Sequence, residues 1–258
     1  MIPAGYRLIE VEETESTNSA CLQAAKDGDP GHLWIRAERQ MAGRGSRGRF
    51  WVSGPGNLFA SLLLVDPAPV ASLANLTFVA ALGVHEAIAA LAAAHGEASD
   101  IALKWPNDVL VSARKVSGIL LESHELIVAG DARRSVIVGI GVNCMSHPRD
   151  VPYRATDLAV EGMPVPARDM MERVATGVDN WLKRWDRGTN FGEIRRHWLA
   201  HAANLSKRID VRLPNREVSG IFEGIDDKGM LCLRLDDGDL ATISSAEVFF
   251  GTPPTHDK

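Results

Sequence analysis

The distribution of apolar positions divides the chain into short alternating runs, two long helical stretches and one stretch with no period. Residues 6–11 alternate as a first strand. Ser16-Thr17-Asn18 then stand before ACLQAAKDG, and such residues cap helix starts. A short helix is expected there, stopped at Gly28. Residues 33–37 (LWIRA) and 57–65 (NLFASLLLV) read as strands, the second almost continuously apolar. Pro67 and Pro69 end that run, and 72–95 is expected as one long buried helix. Residues 101–105 form a strand stopped by Pro106. Residues 109–111 and 116–121 read as a hairpin turning at 112–114. The β-branched run SVIVGIGV at 135–142 is expected at the centre of a sheet.

From 146 to 168 the pattern fails: HPRDVPYRATDLAVEGMPVPAR carries four prolines and no sustained period, too long for an idle connector. Helical spacing returns at 169–185 and 191–202. After Asn204 come four short alternating runs: KRIDVRL, EVSGIFEGI, GMLCLRL and DLATIS. They are separated by Asn215, by 226–229 and by 236–238, which predicts a small antiparallel barrel. The expected organisation is a mixed α+β unit over 1–203 and a barrel over 204–258.

Composition narrows the function more than the fold. Of 258 residues, 45% are apolar and 24% charged, with a formal net charge of −5. An acidic chain does not capture nucleic acid by bulk charge. Three scattered cysteines, Cys21, Cys144 and Cys232, without CxxC spacing suggest neither a disulfide framework nor a zinc site. They fit a reducing cytoplasm. The N-terminus lacks a secretory pattern, and no run is expected to reach the ~18 apolar residues of a membrane span.

Against that background the basic string RQMAGRGSRGRFW at 39–51 stands out. Glycines let the backbone approach a ligand, and arginines present charged forks to carboxylate or phosphate oxygens. Alone, the string also fits a solvated turn between two strands. A second group is KWPNDVLVSARKVSGIL at 104–120, where Lys104, Asp108 and Lys115 fall near strand ends and a hairpin brings Lys115 back toward Lys104. A surface hairpin would look the same. Gly118 fits either a bulge or close approach of a flat ligand. In GIGVN at 139–143, two glycines inside a strand require something packed close, a helix or a ligand. The third glycine of a dinucleotide fingerprint is missing. ESTN at 15–18 is a helix cap, or a cluster of donors and acceptors at a helix N-terminus.

In this order, ESTN, QMAGRGSRGRFW, KWPNDVLVSARKVSGIL and GIGVN resemble the biotin–protein ligases of the biotin–acetyl-CoA-carboxylase ligase type. The spaced signature covers roughly 15–143, and the final runs resemble that family's SH3-like closing domain more weakly. The resemblance implies a core similar to class II aminoacyl-tRNA synthetases and lipoate ligases. It implies ATP and Mg²⁺ as cofactors, biotin as substrate, and biotin carboxyl carrier protein as partner. It further implies Ser16, Thr17, Asn18, Gln40, Arg44, Gly45, Ser46, Lys115 and Gly118 around biotin. Around the adenylate it implies Arg44, Arg47, Arg49, Trp51, Asn107, Lys115 and Asn143. Arg44, Lys104 and Lys115 would be catalytic, and Asp108 a metal or acceptor-lysine contact. ESTN lies so near the N-terminus that the winged helix-turn-helix of ligase-repressors is not expected. The type implied is therefore monofunctional, without a DNA or membrane partner, and a homodimer is compatible with it. One departure is clear: the family usually reads GRGRxGR, and Ser46 stands where an arginine is expected. Rival readings are a lipoate or octanoyl relative, a biotin sensor that does not ligate, and an RNA-binding module suggested by RGSRGR.

Overall fold

Seven of the alternating runs join in one mixed sheet in the computed structural model, which describes residues 1–97, 100–213, 216–244 and 247–249, the side chains of Arg47, Glu247 and Phe249 excepted. The strands are β1 (Arg7–Thr14), β2 (Leu33–Gln40), β3 (Leu58–Val65), β4 (Ile101–Lys104), β5 (Asp108–Val111), β6 (Arg114–Val128) and β7 (Asp131–Val142). Their order is β1-β2-β3-β7-β6-β5-β4, so SVIVGIGV is central, as its composition predicts. Only β1 and β2 run parallel. A parallel pair needs a crossover, and helix α1 (Thr17–Lys26) supplies it.

Alternation along β3 sorts its side chains between two faces. Leu58, Ala60, Leu62 and Leu64 join the main core, with Val136, Val138, Ile140 and Val142 of β7. Leu63 faces α1, packing with Cys21, Ala25, Leu33, Ile35 and Ile137. The other face is covered by α2 (Leu76–His95) and α3 (Ala167–Trp185). Alanines and glycines let these two helices come close. A Cβ on Gly83 would stand 2.6 Å from the Val178 nitrogen, and one on Gly177 2.4 Å from the Gly83 carbonyl oxygen. α2 is also where a sequence expectation needs correction. With the 3₁₀ turn Val70–Asn75 it forms a helix long and apolar enough, by length and composition, to cross a membrane, but 67% of its most apolar window is buried inside the fold.

A second correction concerns β6, which runs on to Val128 rather than ending near 121, and turns through Ala129 and Gly130 (φ 53° and 93°) into β7. Its far half, residues 123–128, alternates exposed with half-buried positions and buries no side chain fully, so no buried apolar stripe announced it. In the C-terminal part, β8 (Arg208–Arg212), β9 (Glu217–Ile225), β10 (Leu231–Arg234), β11 (Leu240–Ile243) and β12 (Glu247–Phe249) form one antiparallel sheet in the order β11-β10-β9-β8-β12. The sequence reading counted four strands; β12 is the fifth, and Asn215, read as a separator, lies outside the described residues. This sheet packs against α4 (Phe191–Ala200) and the turn that follows β4. Trp105 Nε1 donates to the Gly229 carbonyl at 3.0 Å, and Arg195 Nε, from α4, donates to the Ile225 carbonyl at 2.5 Å.

Beneath α2, His85 stacks on His201 with ring centroids 4.0 Å apart. Burial, assisted by His201, pulls the His85 pKa down to about 4. Folded His85 therefore binds fewer protons than unfolded His85 between about pH 6.5 and 4, and stability must fall as pH drops through that window. A shift of this size is worth up to about 3 kcal/mol. Urea unfolding at pH 7 and at pH 4 is expected to show wild type losing that much more than a His85→Gln variant. Equal losses would mean the imidazole is protonated in the fold without penalty.

Candidate active site

The candidate residues converge on the α1 face of the sheet, where β2 ends, β6 begins and α1 starts. One cavity is lined by Ser16, Thr17 and Asn18, by Gln40, Arg44, Gly45, Ser46 and Trp51, and by Asn107, Lys115 and Gly118, over a floor that includes Phe59, Leu120, Gly139 and Gly141. Ser16 occupies the N-cap position in extended backbone (φ −159°), but its hydroxyl makes no capping bond.

At one end a row of polar groups is wired in a single sense. The Thr17 amide donates to Gln40 Oε1 at 2.9 Å. The Thr17 hydroxyl lies 2.7 Å from Ser61 Oγ, which donates to Asn18 Oδ1 at 2.6 Å. Asn18 Nδ2 donates to Glu122 Oε2 at 2.6 Å, and Arg44 Nη2 reaches the same oxygen at 2.8 Å. Ser16, Thr17, Asn18 and Ser61 are all buried. Buried polar side chains with ordered partners hold one orientation. Such a row suits a flat ligand that presents both donors and acceptors.

The two glycines of GIG are explained by what lies on them. A Cβ on Gly139 would stand 2.2 Å from Asn18 Oδ1; on Gly141 it would stand 2.5 Å from the Trp51 indole. Gly118 likewise meets Trp51 at 2.9 Å and Lys115 Nζ at 3.1 Å. Strand glycines here make room for side chains of the site. Helix-on-sheet packing applies only in part, through Asn18 of α1.

The 39–51 string folds back on itself. Gly45 N donates to the Arg49 carbonyl at 2.7 Å and Trp51 N to the Gly43 carbonyl at 2.9 Å, around a 3₁₀ turn at Ser46–Gly48. This small hairpin lays Trp51 on the floor, leaves its buried Nε1 without a partner, and turns Phe50 outward at 83% exposure. Arg49 leans on Ser46, with Nε 3.4 Å from its carbonyl and Nη2 3.4 Å from its hydroxyl.

At the other end, Lys115 Nζ pairs with Asp108 Oδ1 at 2.6 Å and lies 5.5 Å from the Trp51 ring centroid and 5.2 Å from that of Tyr153. Tyr153 comes from the aperiodic stretch, which runs alongside. Lys115 N donates to the Arg154 carbonyl and Thr156 N to the Lys115 carbonyl, at 2.8 and 2.9 Å. Asn107 Nδ2 ties its turn to the Ile119 carbonyl at 2.6 Å.

Some predicted residues stand elsewhere. Lys104 lies on β4 opposite Asp108 and is not brought to the cavity wall. Asn143 is buried behind the floor, donating to the Thr156 carbonyl at 3.0 Å. Arg49 lies outside the wall, and the Arg47 side chain is outside the described residues. Asp108 meets the site through Lys115, and among the described residues no three His, Cys, Asp or Glu side chains gather as a metal site. Sequence reasoning missed Ser61, Glu122 and Tyr153. Cys21 and Cys144 are buried and pushed up to about 12, chiefly by that burial, so neither offers a thiolate.

Comparison with known proteins gives two family matches. Residues 11–143 match the model of the biotin/lipoate A/B protein ligase family, and residues 205–251 that of the biotin protein ligase C terminal domain. The chain is 41% identical over 244 residues to the biotin--[acetyl-CoA-carboxylase] ligase of Paracoccus denitrificans, covering 92% of this chain and 98% of that one. It is 33% identical over 253 residues to the bifunctional ligase/repressor BirA of Bacillus subtilis, covering 96% of this chain and 75% of that protein. Its fold superposes on the biotin protein ligase from Aquifex aeolicus in complex with biotin and ATP with a TM-score of 0.76. That pair is 27% identical, over 94% of this chain and 97% of that one.

Proposed function

This chain belongs to the biotin/lipoate A/B protein ligase family, and we infer from that membership and from the built cavity that it is a biotin–protein ligase. The biotin carboxylate attacks the α-phosphorus of ATP, the bond to the β-phosphate breaks, and pyrophosphate leaves. A lysine amine of the biotin carboxyl carrier protein, from acetyl-CoA carboxylase or a related carboxylase, then attacks the carbonyl of biotinyl-5′-AMP. It loses a proton, and AMP departs. The observation that carries this reading is the pairing of chemistries across one cavity: a wired donor–acceptor row at one end, tied through Glu122 to Arg44, and the cation of Lys115 at the other.

Ser16, Thr17, Asn18 and Gln40 receive the ureido ring, which needs donors and acceptors in fixed places. Trp51, Gly118 and Gly141 form the apolar slot for the rest of the molecule. Lys115 and Arg44 offset the charge between a carboxylate and a polyphosphate, so positioning and electrostatics supply most of the catalysis. With the loop in this position the cavity is small, about 50 Å³, and in this reading the 39–51 loop lifts for ligand entry. Asp108 would be the protein contact to Mg²⁺, which when bound would lower the repulsion between the reacting anions; among the described residues no acidic cluster gathers there. We take 1–203 as the catalytic unit and 204–258 as the barrel that closes beside it, supported by the Trp105–Gly229 contact. Action on a carrier protein rather than DNA is supported by the net charge of −5. A cytoplasmic setting is supported by three free cysteines.

The test is incubation with biotin, MgATP and a biotinyl carrier domain, following pyrophosphate release and label transfer. Biotin-dependent pyrophosphate release followed by transfer is expected. Release with lipoate or octanoate in preference to biotin would move the protein to the other branch of the family. No acyl-adenylate with any of the three removes the ligase reading.

A further inference from the structure

Glu122 stands where the head-group row and the arginine loop meet. It lies on β6 opposite Ile137 of β7, beneath α1. A partly buried carboxylate in such a place costs stability unless charge-assisted bonds hold it. Its Oε2 takes two, from Asn18 Nδ2 at 2.6 Å and from Arg44 Nη2 at 2.8 Å. Asn18 belongs to the first turn of α1, which carries no acidic residue of its own; Arg44 belongs to the loop. A carboxylate accepts only, so it forces the nitrogen of the Asn18 amide toward itself and the oxygen toward Ser61. Gly139 leaves the room the amide occupies, since a Cβ there would stand 2.2 Å from Asn18 Oδ1.

We propose that Glu122 is a positioning residue for biotin activation. It fixes the donor–acceptor sense of Asn18 and, through Arg44, holds the 39–51 loop over the cavity until the ligand arrives. The assignment of the step rests on the biotin-ligase reading; the hold on the loop does not. The Arg44–Glu122 pair is then a contact that must open when the loop lifts.

Glu122→Gln keeps the shape and removes the charge. Losing a charge-assisted bond is expected to raise the KM for biotin about tenfold, with kcat near wild type. Tryptic cleavage within 44–49 of the ligand-free protein is expected to become several-fold faster. Thermal midpoints of the wild type and of Glu122→Gln and Glu122→Ala separate this from general loosening, and Glu125→Gln, an exposed position further along β6, serves as control. On an Arg44→Gln background, Glu122→Gln is expected to add nothing to the cleavage rate. Wild-type KM and cleavage rate in both Glu122 variants would overturn the proposal, as would an unchanged KM with a reduced kcat. An equal acceleration of cleavage on both backgrounds would overturn the hold on the loop. A wild type that forms no adenylate counts against the ligase reading instead, while the cleavage comparison still decides what Glu122 does to the loop.

Discussion

Lys115→Gln is expected to lower kcat for biotinyl-AMP formation by about a hundredfold to a thousandfold, the range for removing one preorganised group from a developing charge. The side chain is aimed before any ligand arrives. Asp108 holds the ammonium at 2.6 Å, and the Trp51 and Tyr153 rings stand on it at 5.5 and 5.2 Å. At 16% exposure it is far less solvated than a surface lysine, so its charge acts on the mixed anhydride through little water. Glutamine keeps most of the length and a donor and removes the charge alone. Pyrophosphate release at saturating biotin and ATP reads the chemical step; calorimetry with biotin reads the ground state, expected to change far less. A variant within threefold of wild type would place the cation away from the reacting atoms. Lys104→Gln should then be compared, although Lys104 stands on the edge strand and does not line the cavity.

Sequence alone could not rank those two lysines, because both sit beside strand ends. The sheet ranks them. β4 pairs Lys104 with Asp108, and a register shift between Val109 and Leu110 on β5 precedes the residues paired with Lys115 and Arg114. What the sequence did disclose was local. SVIVGIGV shows a buried strand by β-branching, ESTN a helix start, and GRGSRGRFW a loop that cannot build a core. Glu122 stayed hidden because one carboxylate in an alternating strand looks like a solvent-facing residue until the partner from α1 is known. Ser61 was hidden inside an apolar run for the same reason. Tyr153 lies in a stretch with no period to read. The two strand glycines were noticed, but only the packed fold shows that Asn18 and Trp51 are what they admit.

Ser46→Arg is expected to slow the release of biotinyl-AMP by about tenfold to a hundredfold, the value of one charge-assisted hydrogen bond. Ser46 opens the 3₁₀ turn and faces the cavity, where the family's usual string carries an arginine. In its place stands a hydroxyl 3.4 Å from Arg49 Nη2, with Arg49 Nε 3.4 Å from the Ser46 carbonyl. Both contacts are long for hydrogen bonds, and Arg49 does not line the cavity. A newly introduced arginine at 46 adds a cation at the wall itself. The measurement is the loss of preformed labelled biotinyl-AMP from each protein after dilution, with the modification of bystander lysines as a second readout. The wild type should release faster and label bystanders more. The competing outcome is also specific: if Arg49 swings in to take the anion, Ser46→Arg leaves the rate unchanged while Arg49→Gln raises it. Equal release from wild type and Ser46→Arg with faster release from Arg49→Gln would therefore pass the retaining role to Arg49, and equal release from all three proteins would remove positions 46 and 49 from adenylate retention.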